Sequence, residues 1–177
     1  MLKMRVRDFK AFLKQKIDET DKAKIPEWDK AERYNTLIEV SELELLDECF
    51  EDYDTVWLIE RAKAKRAEAN YYMDVNHSKN QEIMEKLSKL KSHIKDLEHT
   101  KKSYSLIDIS EEFVEREVQE VQEELKVELN EAKEEEGRYL ADLKDYEYAK
   151  RQVYILHRLE GILMNPGGYF NYLKKGA

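Results

Sequence analysis

The sequence predicts an all-α protein: an elongated helical bundle or antiparallel coiled-coil hairpin with an N-terminal amphipathic helix and a short C-terminal aromatic tail. Three observations predict it. The 110 residues from Glu27 to Glu136 contain no glycine or proline, where average usage of about 7% and about 5% would place roughly 13. Ala, Glu, Lys, Leu and Arg make up 88 of the 177 residues, a composition typical of long helices and coiled coils. The third is a repeat of apolar residues at steps of three and four, which places them on one helix face.

The repeat starts at the N-terminus. Leu2, Val6, Phe9, Leu13 and Ile17 share one face of a helix over residues 2–17, and the other faces carry six Lys or Arg against Asp8 alone between Lys3 and Lys16. Such an arm either docks its apolar stripe on the body of the protein or meets an acidic partner, a membrane surface or nucleic-acid phosphates. Polar residues 18–24 read as a connector, so residues 1–24 form the first segment.

The body is expected over residues 25–164, with helices near 26–34, 36–75, 78–102 and 110–164. Pro26 suits the start of a helix, with Glu27 and Asp29 at its positive end. Two capping-box patterns, from Thr36 to Glu39 and from Ser41 to Glu44, compete to open the next helix. Its broad stripe of Leu45, Leu46, Cys49, Phe50, Tyr53, Val56, Trp57 and Ile59 suits burial in a bundle. Residues 74–78 are the best internal turn, with Ser78 and Gln81 able to cap a new helix.

Ile83, Leu87, Leu90, Ile94, Leu97 and Tyr104 then follow alternating steps of four and three, interrupted only by Lys101, which is an a/d heptad pattern. Residues 103–110 read as a loop with Asp108 or Ser110 as N-cap. A longer helix follows through Val118, Val121, Leu125, Leu129 and Ala132 and on through Leu143 to Leu163, with Gly137 and Gly161 as weak points. At 1.5 Å per residue it would span about 80 Å against about 28 Å for residues 83–101. Its surplus apolar face must be covered by the rest of the chain or by a second copy, so self-association is expected. The Asn165-Pro-Gly-Gly168 run stops the helix, leaving residues 165–177 as an aromatic-basic tail.

The formal net charge is −8, with 40% of residues charged, and the charge is blocked along the chain. Residues 39–60 carry −9, residues 61–102 +5, residues 103–147 −11 and residues 148–177 +4. An antiparallel hairpin would lay the basic block beside the acidic one, favouring register more than stability, since exposed pairs contribute only about 0–1 kcal/mol each.

Chemistry finds little support. A phosphate-cradling glycine loop has no place between residues 27 and 136, and Gly167-Gly168 lacks the Lys-Ser/Thr of a P-loop. Cys49, the only cysteine, sits on an apolar face and reads as a packed small hydrophobe. A lone cysteine excludes an intramolecular disulfide, which favours the cytoplasm. Asp74 to His77 and Asp96 to His99 match the spacing of a bundle metal motif but lack its glutamates. No apolar h-region follows the N-terminus, and no stretch reaches the ~18 apolar residues of a membrane span. No enzyme, metal or cofactor is expected.

Two surfaces remain. An acidic one, Glu44, Asp47, Glu48, Glu51, Glu111, Glu112, Glu115, Glu123 and Glu124, would occupy a basic groove on a protein partner, imitating the spaced charge of a nucleic-acid backbone. A basic and aromatic one, Lys3, Arg5, Arg7, Lys10, Lys150, Arg151, Arg158, Tyr169, Phe170, Tyr172, Lys174 and Lys175, would stack on single-stranded bases while its cations follow phosphates. The competing reading packs those aromatics on the bundle core. The build, small and helical with basic ends, resembles oligomeric accessory proteins of phage recombination and small helical inhibitors from mobile elements, a likeness of shape carried by no signature residue. The sequence therefore points to a non-enzymatic, self-associating interaction module acting as scaffold, regulator or inhibitor, with a nucleic-acid-binding accessory factor of recombination or replication as the alternative.

Overall fold

The computed structural model describes residues 1–48, 53–105 and 112–175, leaving aside the side chains of 112–116, 174 and 175. These residues are helical apart from one isolated antiparallel bridge between Arg5 and Asp54 and the short connections between helices. The helices are α1 (Val6–Asp21), α2 (Glu27–Ser41), α3 (Glu44–Glu48), α4 (Thr55–Val75), α5 (His77–Tyr104), α6 (Glu112–Asp142), α7 (Lys144–Met164), α8 (Pro166–Tyr169) and α9 (Tyr172–Lys175). The chain divides into two compact units, residues 1–74 with 148–177, and residues 75–147. The segments expected from sequence, divided at 24 by a polar connector and at 164 by the Asn165-Pro-Gly-Gly168 stop, follow punctuation along the chain, whereas these units follow which helices share a core.

The first unit is a bundle around Phe9, Leu13, Leu37, Leu46, Leu58, Leu156, Leu159 and Leu163, none more than 1% exposed. Val6, Phe9 and Leu13 do form one buried face of α1. The helix starts at Val6, however, and not at Leu2. The backbone of residues 2–6 is taken up elsewhere: Leu2 N donates to Leu163 O at 2.6 Å, Thr55 N to Met4 O at 2.9 Å and Val6 N to Tyr53 O at 2.8 Å. Buried Thr55 completes the clasp, its hydroxyl donating to Leu2 O at 2.7 Å. Satisfying these donors across the chain outweighs one more helical turn.

The expected helix over 36–75 is also interrupted. Leu37 and Val40 are buried on one face of α2, and further on Leu43, Leu45 and Leu46 are all buried as well. At about 100° per residue, Leu45 would point away from Val40 on a continuing helix, so the chain turns after Ser41 to bury both. Neither capping box forms. Thr36 is buried inside α2, and the Ser41 hydroxyl donates back to Ile38 O at 2.7 Å. The cap that opens α4 is Asp54, whose Oδ1 accepts from Val56 N at 3.0 Å and Trp57 N at 3.2 Å. Cys49, Phe50 and Glu51 lie outside the described residues.

In the second unit α5 packs on α6. Ile94 and Leu97 meet Leu129 and Ala132, while Ile83 and Leu87 meet Leu143 beside Tyr139. Residue numbers rise on one helix as they fall on the other, so the pair is antiparallel. These buried seam residues remain 5–8% exposed, against 0–2% for most of the first core, because two helices cover a seam from two sides only. The turn expected at 74–78 is the single residue Asn76 between α4 and α5; Ser78 lies within α5 and does not cap it. The loop expected at 103–110 falls largely outside the described residues, α5 running to Tyr104.

The helix expected over 110–164 is divided at Leu143 rather than at either glycine. Helical bonding continues through it, Leu143 N donating to Tyr139 O at 3.1 Å and Glu147 N to Leu143 O at 3.0 Å. No residue type at this position accounts for the interruption. At 165–168 the stop is a new helical turn: Asn165 Oδ1 caps α8 by accepting from Gly168 N at 3.0 Å, with Pro166 at the first position. No helix among the described residues is long and apolar enough to cross a membrane.

Candidate functional site

In the first unit the acidic block of residues 39–60 is met by cations from three other helices. Lys10 of α1 reaches Asp47 at 2.9 Å, and Lys65 and Arg61 of α4 reach Glu48 at 2.5 and 3.8 Å. Arg151 of α7 grips Glu39 with both Nε and a terminal nitrogen. The Glu39 carboxylate raises the pKa of that guanidinium. Of the predicted acidic residues here only Glu44 is exposed with no described partner. Asp47 and Glu48 are thus partly neutralised within the chain, which weakens them as a surface for a basic partner. Glu51 and Glu111 lie outside the described residues, as do the side chains of Glu112 and Glu115.

The basic and aromatic set is dispersed. Phe170 and Tyr172 are 6% and 5% exposed, because the turn at Asn165 folds the tail onto the core. The Phe170 ring meets Phe12 edge-on at 5.7 Å, and Tyr169 packs on Phe170 at 5.1 Å. The Tyr172 hydroxyl lies 2.6 Å from Thr20 Oγ1, and Arg33 covers its ring at 4.3 Å. Burial pushes both the Tyr169 and Tyr172 phenols above their ordinary pKa. Of the two readings of these aromatics, packing on the core is where Phe170 and Tyr172 lie, and their desolvation there leaves no open face on either ring for a base.

The predicted cations do not converge either. Lys3, Arg5 and Arg7 are exposed, the first two ahead of α1 rather than on its faces, and Arg7 lies 3.4 Å from Asp8. Arg151 and Arg158 sit over the Tyr154 ring at 4.9 and 4.8 Å, and Lys150 is exposed. The Arg158 Nε is buried without an acceptor. Side chains of Lys174 and Lys175 lie outside the described residues.

In the second unit charge and geometry separate cleanly. Over residues 117–142 α6 carries ten acidic and three basic side chains, while α5 carries seven lysines and four acidic residues. The expected basic-on-acidic pairing is not how the helices meet. Among the described residues no α5 lysine reaches an α6 carboxylate. The contacts between basic and acidic side chains across the seam, among the described residues, are Lys133 to Glu98 at 2.7 Å, an ion pair that reverses the expected signs, and His93 Nε2 to a Glu128 carboxylate oxygen at 3.2 Å. Glu123 is spent locally on Lys126 at 3.5 Å, whereas Glu124 is exposed and has no described partner. The lysines point elsewhere because seam positions are taken by apolar residues and a helix turn carries the rest outward.

The two crossing pairs mark the two edges of the helix pair. On the His93 edge runs an open groove of about 380 Å³, with Leu90 and Ala132 among its lining and Glu128, Glu131, Glu134 and Glu135 around them. Glu117, Glu124 and Glu131, seven residues apart, are aligned along the same side of α6 and exposed. Glu117 and Glu131 were not singled out from sequence; the seven-residue spacing was the signal that could have found them. Among the described residues no three His, Cys, Asp or Glu side chains gather as metal ligands. The chain matches no family model, no curated protein and no solved structure.

Proposed function

We propose that the chain is a non-enzymatic helical interaction module, acting as scaffold, regulator or inhibitor, that self-associates and presents the acidic outer face of α6 to a basic surface on a protein partner. One observation carries this reading. Glu120, Glu124, Glu131 and Glu134 are exposed with no described ion pair, and they fall within roughly 80° of one another on α6, Glu131 and Glu134 bordering the groove on the His93 edge. Unlike Asp47 and Glu48, this line of charge is not spent inside the chain. Surface charge of one sign raises encounter rates with an oppositely charged partner and selects against others.

The test is affinity capture by the tagged full-length chain from its native host, with protein and nucleic-acid stains on the eluate. A distinct protein should be retained by the natural sequence and lost when Glu120→Lys is combined with Glu134→Lys, with helix content unchanged by circular dichroism. Recovery of nucleic acid without a second protein would sink the reading in favour of the accessory factor.

A further inference from the structure

The helix pair of the second unit has one edge rich in lysine and one rich in glutamate, the second also carrying Lys86, Lys89 and Arg138. In α5, Met84, Lys91, Lys95 and Lys102 fall roughly 80–120° from the centre of the seam, on the side where Glu98 meets Lys133. The three lysines are exposed and have no described partner. On that same edge α6 contributes Leu140, which follows the seam residue Tyr139 as Met84 follows Ile83. Met84 and Leu140 are 39% and 48% exposed, large apolar side chains that water must solvate at a cost.

On the opposite edge the glutamates at 117, 124 and 131 run along α6, beside the groove. One edge offers Met84 and Leu140 among lysines, and the other a groove lined mainly by charged residues, four of them glutamates, with Leu90 and Ala132 among them.

We infer that a second copy of this chain docks its Met84, Lys91, Lys95, Lys102 and Leu140 edge onto the groove and the Glu117, Glu124 and Glu131 line of the first. This deepens the self-association proposed above and rests on it. The two contacting surfaces differ, so the contact is heterologous: it propagates from copy to copy until it closes a ring or ends as an open filament. A two-fold dimer through one edge alone would set like charges together.

The experiment uses the purified full chain, with mass followed by sedimentation and light scattering across protein concentration. Assembly larger than a monomer is expected at about 0.05 M salt and should recede at about 0.5 M, as screening shortens the range of the charges. Two variants make the edges alike. Lys91→Glu with Lys95→Glu and Lys102→Glu gives two acidic edges, and Glu117→Lys with Glu124→Lys and Glu131→Lys gives two basic ones. Each alone should be monomeric with helix content retained, and an equimolar mixture should assemble again, since every contact then joins unlike edges. Restoration on mixing excludes misfolding as the reason for the loss. A natural chain that stays monomeric at low salt, or variants that fail to assemble when mixed, overturns the inference; so does either variant assembling alone. Failure of the function reading shows separately, as capture of no other protein by a chain that still self-associates.

Discussion

Tyr172 ties the last described helix to the first through one hydroxyl. Its oxygen lies 2.6 Å from Thr20 Oγ1, whose own proton is engaged with Lys16 O at 2.7 Å. A hydroxyl has one proton to donate, so the phenol is left as the donor. Tyr172→Phe should cost about 0.5–1.5 kcal/mol near neutral pH, the net worth of a neutral hydrogen bond. The pH dependence has a definite sign. Burial raises the folded pKa above an unfolded value of about 10. The stability tied to the neutral phenol is complete below that value and is lost as pH rises through the raised pKa. Tyr169 acts in the same direction. Urea unfolding at about pH 7 and about pH 11 should show the natural chain losing more stability between the two than the Phe variant. An equal loss in both would mean the Tyr172 phenol is solvated. The aromatic residues of this tail were legible in the sequence, and packing on the core was the favoured direction. Stacking on a partner demands the same residue types, and only the burial of Phe170 and Tyr172 separates the two.

At the scale of single helices, Gly137 shows how a weak point differs from a break. It lies within α6, with open space where a Cβ would stand. Gly137→Ala therefore adds helix propensity without a clash and should stabilise the chain by about 0.4–1 kcal/mol, read as a higher denaturation midpoint. A lower midpoint would mean that the glycine is needed for a close approach. The elements legible in the sequence were those whose apolar period stays regular: the seam of α5, that of α6 and the inner face of α7. The division of 36–75 into α2, α3 and α4 was not. It carries no glycine or proline and depends on Leu43, Leu45 and Leu46 being buried together, which is a property of the core they enter. Asp54 is the local signal that was there to be read, a side chain able to cap the turn after it. The charged edges of the helix pair lay between these cases. The charge blocks were evident, but which side of the seam each residue takes required the register set by Lys133 with Glu98 and His93 with Glu128.

At the scale of the whole molecule, each unit has its own core, and the two tryptophans report on one of them. Trp28 and Trp57 both belong to the first unit, and the second has none. Trp28 is 73% exposed, so changes in emission on unfolding come mainly from Trp57, which packs against the first core. Circular dichroism reads both units through their helices. Leu156, 1% exposed in the first core, and Leu129, 7% exposed in the second seam, therefore separate the two. Leu156→Ala should cost about 2–5 kcal/mol, the range for truncating a buried leucine, and should lower the fluorescence midpoint. Leu129→Ala should cost less, because its seam is thinner and the site collapses or hydrates more readily. It should lower the circular-dichroism midpoint while leaving the fluorescence midpoint in place. If Leu129→Ala moves both midpoints together, the units melt as one cooperative body, and the thin seam of α5 and α6 draws its stability from the thicker core.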